Sequence, residues 1–65
     1  MTPADFIAWR ERLHLNRVEA AAMLGMSRNT VTAYEQGRTA IPLYVALACT
    51  AIAQGWPPMG FKPER

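Results

Sequence analysis

Apolar residues fall into four short clusters along the chain, and residues that favour helix starts stand before them. In the first, Phe6, Trp9 and Leu13 recur at three- and four-residue spacing with Ile7 beside them, the period of one helix face. Thr2 stands where an N-cap would, Pro3 suits the first helical position, and Asp5 completes a Thr-x-x-acid box. Arg10, Glu11 and Arg12 populate the other side. The spacing predicts a helix over 3–13.

A second start follows at once. Asn16 is placed to cap free amides, Glu19 to reach back to the Asn16 backbone, and Leu15 with Ala20 to staple the entry. Ala20, Ala21, Met23 and Leu24 form the apolar face, and Gly25 ends the helix because it tolerates positive φ. This predicts a two-turn helix over 17–24. Ser27 then caps a third helix over 28–36, stapled by Met26 and Val31 and closed by Gly37. Only Val31 and Tyr34 make a clear apolar stripe there. Arg28, Asn29, Thr32 and Gln36 lie away from it, and this helix alone does not decide whether that wide polar face meets solvent or a ligand.

The fourth cluster differs. Pro42 suits the first turn of a helix over 43–54 that is apolar nearly all round, from Leu43 and Tyr44 through Val45, Leu47 and Cys49 to Ile52. A domain this small cannot bury every face of one helix. Part of that surface should meet another chain or be covered by the tail, residues 56–65. There Gly55 and the Trp56-Pro57-Pro58 run stop the helix.

Composition narrows the class. The 65 residues allow one domain, expected over 1–55 with the Pro-rich tail after it, and leave no room for a separate sensor domain. The chain is 51% hydrophobic and 18% charged, enough apolar content for a core and unlike a disordered segment. Seven Lys+Arg against five Asp+Glu give a formal +2, which permits a nucleic-acid partner without establishing one. Cys49 has no second cysteine to pair with, and His14 is the one histidine, so neither a disulfide nor a metal site is expected. Cys49 reads as a small core residue and His14 as surface. No apolar run reaches the ~18 residues of a membrane span, and the N-terminus shows no secretory leader, so a cytoplasmic setting without membrane contact is expected. No nucleophile–base pair, phosphate-cradling glycine loop or acid cluster is present, which argues against an enzyme, a cofactor or a small-molecule substrate.

Two short helices joined at Gly25, the second capped and polar, make a helix-turn-helix arrangement. Ala21 must be small where the second helix crosses it, Gly25 makes the turn, and Val31 plugs one helix onto the other. An unrelated small helical bundle could meet the same demands. The whole run LNRVEAAAMLGMSRNTVTAYEQGRTAIP, from Leu15 to Pro42, closely resembles the phage lambda-repressor and Cro-like (Xre-type) helix-turn-helix family. The resemblance rests on Leu15, Ala20-Ala21, Leu24-Gly25, Ser27, Thr30-Val31, Tyr34-Glu35-x-Gly37 and Pro42, with the aromatic face and Arg10 of the first helix.

That resemblance implies an all-α fold, a compact four-helix helix-turn-helix domain, whose third helix enters the major groove of double-stranded DNA. By position, Arg28, Asn29 and Thr32 are then candidates for base contacts, with Ala33 in reach of a thymine methyl. Arg matches guanine O6 and N7, and Asn matches adenine N6 and N7. Asn16, Arg17, Ser27, Gln36 and Arg38 are candidates for phosphate contacts, which fix register without reading sequence. Arg10 and Glu35 are implied as an ion pair holding the third helix against the first.

The chain also departs from the family pattern. After Arg38, where many relatives carry further basic residues, Thr39, Ala40, Ile41 and Leu43 are uncharged, which implies a shallower salt dependence. The usual fifth helix is replaced by the Pro-rich tail. A homodimer is expected through the fourth helix and tail, at Tyr44, Ile52, Trp56, Met59 and Phe61; the alternative is that the tail folds back on its own core. The function implied is a dimeric, sequence-specific transcriptional repressor of bacterial or phage type, binding an inverted-repeat operator. The competing reading is a protein-interaction module, an antitoxin or adaptor, that keeps the fold.

Overall fold

The computed structural model describes residues 1–55, which form four α-helices: α1 (Pro3–Arg12), α2 (Arg17–Leu24), α3 (Arg28–Glu35) and α4 (Leu43–Ala53). The expected helices over 3–13, 28–36 and 43–54 each end one residue earlier, at C-caps Leu13, Gln36 and Gln54. Residues 56–65, and with them the expectations placed on Trp56, Met59 and Phe61, lie outside the described residues.

Local chemistry sets the starts. The Thr2 hydroxyl accepts from the Asp5 amide at 3.1 Å while the Asp5 carboxylate accepts from the Thr2 amide at 3.0 Å. Asn16 and Glu19 repeat the exchange at 2.8 and 2.9 Å. At α3 the Ser27 hydroxyl accepts from the Thr30 amide at 3.2 Å and shares a further hydrogen bond with the Thr30 hydroxyl. Each cap satisfies helix-end donors that would otherwise be orphaned, an effect of about 1 kcal/mol. Pro42 corrects the sequence reading: it is the N-cap of α4, extended at ψ 156°, and not a residue of its first turn. Its carbonyl accepts from Val45 and Ala46, so the helix begins at Leu43 without a side-chain cap.

The ends share one closure. At α2, Gly25 (φ 71°) directs the Met26 amide to the Ala21 carbonyl and its own amide to that of Ala22, the paired bonds of a Schellman motif. Gly37 does the same after α3. After α1 the left-handed position is held by His14, at φ 58°, with the Leu15 amide on the Arg10 carbonyl. His14 is exposed, as its position suggested, but its backbone makes the turn.

Phe6 lies wholly buried at the centre, with ring centroids 5.4 Å from Trp9 and 5.8 Å from Tyr34. The Trp9 ring is tilted at 52° and the Tyr34 ring meets Phe6 edge-on at 62°, arrangements that aromatic quadrupoles favour over a face-to-face stack. Ala20, Ala21, Val31, Val45 and Cys49 complete the core, and Leu13, Leu15, Leu24, Met26, Ile41 and Ile52 pack against it. The Trp9 indole donates to the Cys49 carbonyl at 2.8 Å and so ties α1 to α4. Met23, expected on the apolar face of α2, is exposed. Two turns of helix give a narrow seam, and the Ala20–Ala21 edge occupies it.

Candidate nucleic-acid interface

α3 buries Val31, Tyr34 and Glu35. That choice fixes what the helix presents elsewhere. Positions 28, 29, 32, 33 and 36 recur at helical spacing on the opposite face. Arg28, Asn29 and Gln36 are exposed there, with Thr32 and Ala33 half-buried between them. All four candidate base-contact side chains, Arg28, Asn29, Thr32 and Ala33, therefore share one surface. The face bears guanidinium, amide and hydroxyl groups and one methyl, the functional groups that match base edges in a major groove.

The candidate phosphate contacts stand at helix ends. Asn16 and Arg17 open α2, Ser27 opens α3, and Gln36 and Arg38 follow it; all five are exposed. N-termini carry free amides and the positive end of the helix dipole, which favours anions at Asn16, Arg17 and Ser27; Gln36 and Arg38, at the C-terminal end of α3, would act through their side chains alone. Asn16 Oδ1 and Ser27 Oγ are occupied in capping, and the Ser27 and Thr30 hydroxyls share a further hydrogen bond, which leaves the side-chain Nδ2 of Asn16 as a donor outward.

Behind this surface sits a buried carboxylate. Glu35 accepts from Arg10 Nε at 2.6 Å on Oε2 and from Arg10 Nη2 at 3.2 Å on Oε1. A third bond comes from Arg17 Nε, at 3.0 Å to Oε1. The remaining Arg10 nitrogen, Nη1, donates to the Leu15 carbonyl at 3.1 Å. Thus α1, α2 and α3 meet at Glu35, and Arg10 ties the α1–α2 turn to the same cluster. Burial pushes the Glu35 carboxyl up, but the hydrogen bonds and charges of Arg10 and Arg17 outweigh it and hold the group below its ordinary value. Arg17, expected at a phosphate, also pairs with Glu35. Eighteen positions separate the pair, and no local period marks it.

α4 turns Val45 and Cys49 inward. Leu43, Tyr44 and Leu47 stand outward at 75%, 72% and 61% exposure. Of the two described residues expected at a dimer contact, Tyr44 lies on this ridge, whereas Ile52 packs against the core. Leu43 and Leu47 were not singled out, because a helix apolar nearly all round gives no periodic signal for its outer face. Burial pushes the Cys49 thiol up to about 11, consistent with an inert core side chain.

A helix-turn-helix family model matches residues 7–51, which include α2, the Gly25 turn, α3 and most of α4. A crystal structure from Nitrosomonas europaea ATCC 19718, described as that of a candidate DNA-binding protein, is similar at a TM-score of 0.83 and 29% identity. The similarity covers 100% of this chain and 42% of that protein, so the chain spans less than half of its neighbour's length. No curated protein matches.

Proposed function

This chain belongs to the Xre/lambda-repressor-like helix-turn-helix family, and from that premise we propose that it is a sequence-specific DNA-binding transcriptional regulator, acting as a dimeric repressor on an inverted-repeat operator. One observation carries the reading: Arg28, Asn29, Thr32 and Ala33 share the outward face of α3, while the opposite face is locked into the core by Val31, Tyr34 and the Glu35 ion pairs. A recognition helix needs both properties, since base discrimination is lost if the helix can shift against its support.

In this reading α3 lies in the major groove. Arg28 donates to a guanine, Asn29 pairs with an adenine, and Thr32 and Ala33 read the neighbouring step, each good bidentate pair discriminating by about 1–3 kcal/mol. Asn16, Arg17, Ser27, Gln36 and Arg38 hold phosphates at the ends of α2 and α3. Two copies joined through α4 read half-sites about 34 Å apart, and repression follows from occupancy of a promoter. The protein acts as a binder and not an enzyme, in the cytoplasm of a bacterial or phage-infected cell. Among the described residues no helix is long and apolar enough to cross a membrane.

The exposed Leu43, Tyr44 and Leu47 ridge favours one competing reading, an interaction module that docks a partner protein through α4. Selection of bound sequences from random duplex DNA at physiological salt separates the two. An enriched inverted repeat that is lost with Arg28→Ala or Asn29→Ala is the expected result. Failure to retain any DNA would overturn the regulator reading in favour of the interaction module.

A further inference from the structure

Two arginines hold Glu35, and they are committed to very different degrees. Arg10 uses Nε, Nη1 and Nη2 inside the protein, and its side chain is only 15% exposed. Arg17 uses Nε alone, its side chain is 48% exposed, and among the described residues its two Nη groups make no hydrogen bond. The carboxylate between them is 2% exposed. Two cations around one anion leave the cluster with a net charge of +1, and the excess sits on the outer member at the first turn of α2.

We propose that Glu35 is a positioning residue for DNA binding: by anchoring Arg17 through Nε, it fixes the guanidinium plane so that the Nη edge is presented to a backbone phosphate at the start of α2. The inference rests on the DNA-binding reading above and adds to it an account of how Arg17 is oriented. A guanidinium is planar and carries separate donors along its edges, so it can be fixed on one side and bind an anion on the other. A lysine ammonium is a single point that must choose between Glu35 and the phosphate. Immobilising a long side chain before binding removes an entropic cost that would otherwise be met in the complex. The buried carboxylate, itself out of reach of DNA, thereby acts on the nucleic acid through its neighbour.

The test compares wild type, Arg17→Lys and Arg17→Met on a random-sequence duplex about two helical turns long, across a series of salt concentrations. Thermal unfolding of each variant is followed alongside. Because Arg17 is half-exposed and Arg10 still satisfies Glu35, all three should fold. Arg17→Met is expected to reduce the log–log salt slope by about 0.9 for each site, the loss of one phosphate contact. Arg17→Lys, which keeps the charge, is expected to bind about 2- to 10-fold more weakly than wild type at every salt concentration, the range set by one unanchored side chain. Wild-type affinity in Arg17→Lys would overturn the positioning role, since charge alone would then suffice. An unchanged salt slope in Arg17→Met would overturn it too, by removing the phosphate contact. If wild type itself fails to bind any duplex, the DNA-binding reading falls first, and that result is distinguishable from the other two.

Discussion

Arg10 and Leu15 bond each other in both directions: the Arg10 carbonyl accepts the Leu15 amide at 3.1 Å, and the Arg10 Nη1 donates to the Leu15 carbonyl at the same distance. One residue therefore ends α1, pins the turn into α2 and, through Nε and Nη2, holds Glu35 of α3. Arg10→Met would leave a carboxylate in the interior with only the half-exposed Arg17 as partner. Breaking a buried pair from one side costs about 3–5 kcal/mol, and the surviving Arg17 contact places this case near the lower end. A domain of this size has roughly 3–10 kcal/mol in total, so the melting temperature should fall by more than about 10 °C. Thermal unfolding followed by circular dichroism checks this, and an unchanged midpoint would show that the pair is dispensable.

The same cluster predicts acid sensitivity. Glu35 has its carboxyl below its ordinary value of 4.5 in the folded state, because the hydrogen bonds and charges of Arg10 and Arg17 outweigh the upward push of burial. A depressed folded value means that the unfolded chain takes up the proton first as pH falls. The contribution of Glu35 is therefore complete above about 4.5, shrinks as pH drops below it, and vanishes once the folded group is protonated. Asp5 is also held low, by its hydrogen bonds with Thr2, and adds a slope of the same sign from the surface. Comparison with Glu35→Gln isolates the interior group. The stability gap between the two proteins should be widest near neutral pH and close towards acid, and a constant gap would assign it to shape and not to charge.

His14 offers a prediction of opposite sign. It is the non-glycine residue at positive φ among the described residues, at the position where Gly25 and Gly37 close α2 and α3. A Cβ in the left-handed region costs about 1–2 kcal/mol, partly offset because glycine loses more chain entropy on folding. His14→Gly should therefore stabilise the domain by about 0.5–1 kcal/mol, raising the melting temperature by a few degrees. A lower midpoint would mean that the imidazole makes a stabilising contact that outweighs the strain.

Much of this was legible in the chain because it is local. Thr2 with Asp5 and Asn16 with Glu19 are three residues apart, and Gly25 and Gly37 announce left-handed turns, so helix starts and ends follow from neighbours. The polar face of α3 was readable for the same reason, since the Val31–Tyr34 seam sets Arg28, Asn29, Thr32 and Gln36 on the other side, although nothing local marks Glu35 as buried. What local pattern could not give depends on elements meeting in space. The bond from Arg17 to Glu35 and that from Trp9 to the Cys49 carbonyl link residues with no periodic relation. The orientation of α4 was hidden for a different reason: a helix that is apolar on all sides has no moment to indicate which of Val45 or Leu47 turns inward. His14 ended α1 without the glycine that marks the other two turns.

The outward residues of α4 give the last prediction. Leu43, Tyr44 and Leu47 are exposed while Val45 and Cys49 hold the helix to the core, so a charge can be placed on the ridge without entering the interior. No charged residue occurs between Thr39 and Phe61, so α4 itself brings no like charges to a contact between two copies. Leu47→Glu would set a carboxylate from each copy into such a contact. Its melting temperature, measured where wild type is dilute enough to be monomeric, should stay within a few degrees. Sedimentation at higher concentration should show a dimer for wild type and a monomer for the variant. Loss of the linked second half-site should then weaken operator binding by about 100-fold or more, because the second contact is no longer intramolecular. A variant that sediments as the wild-type dimer would move the contact away from α4. A wild type that stays monomeric, with Leu47→Glu binding DNA unimpaired, would remove the dimer from the proposed function altogether.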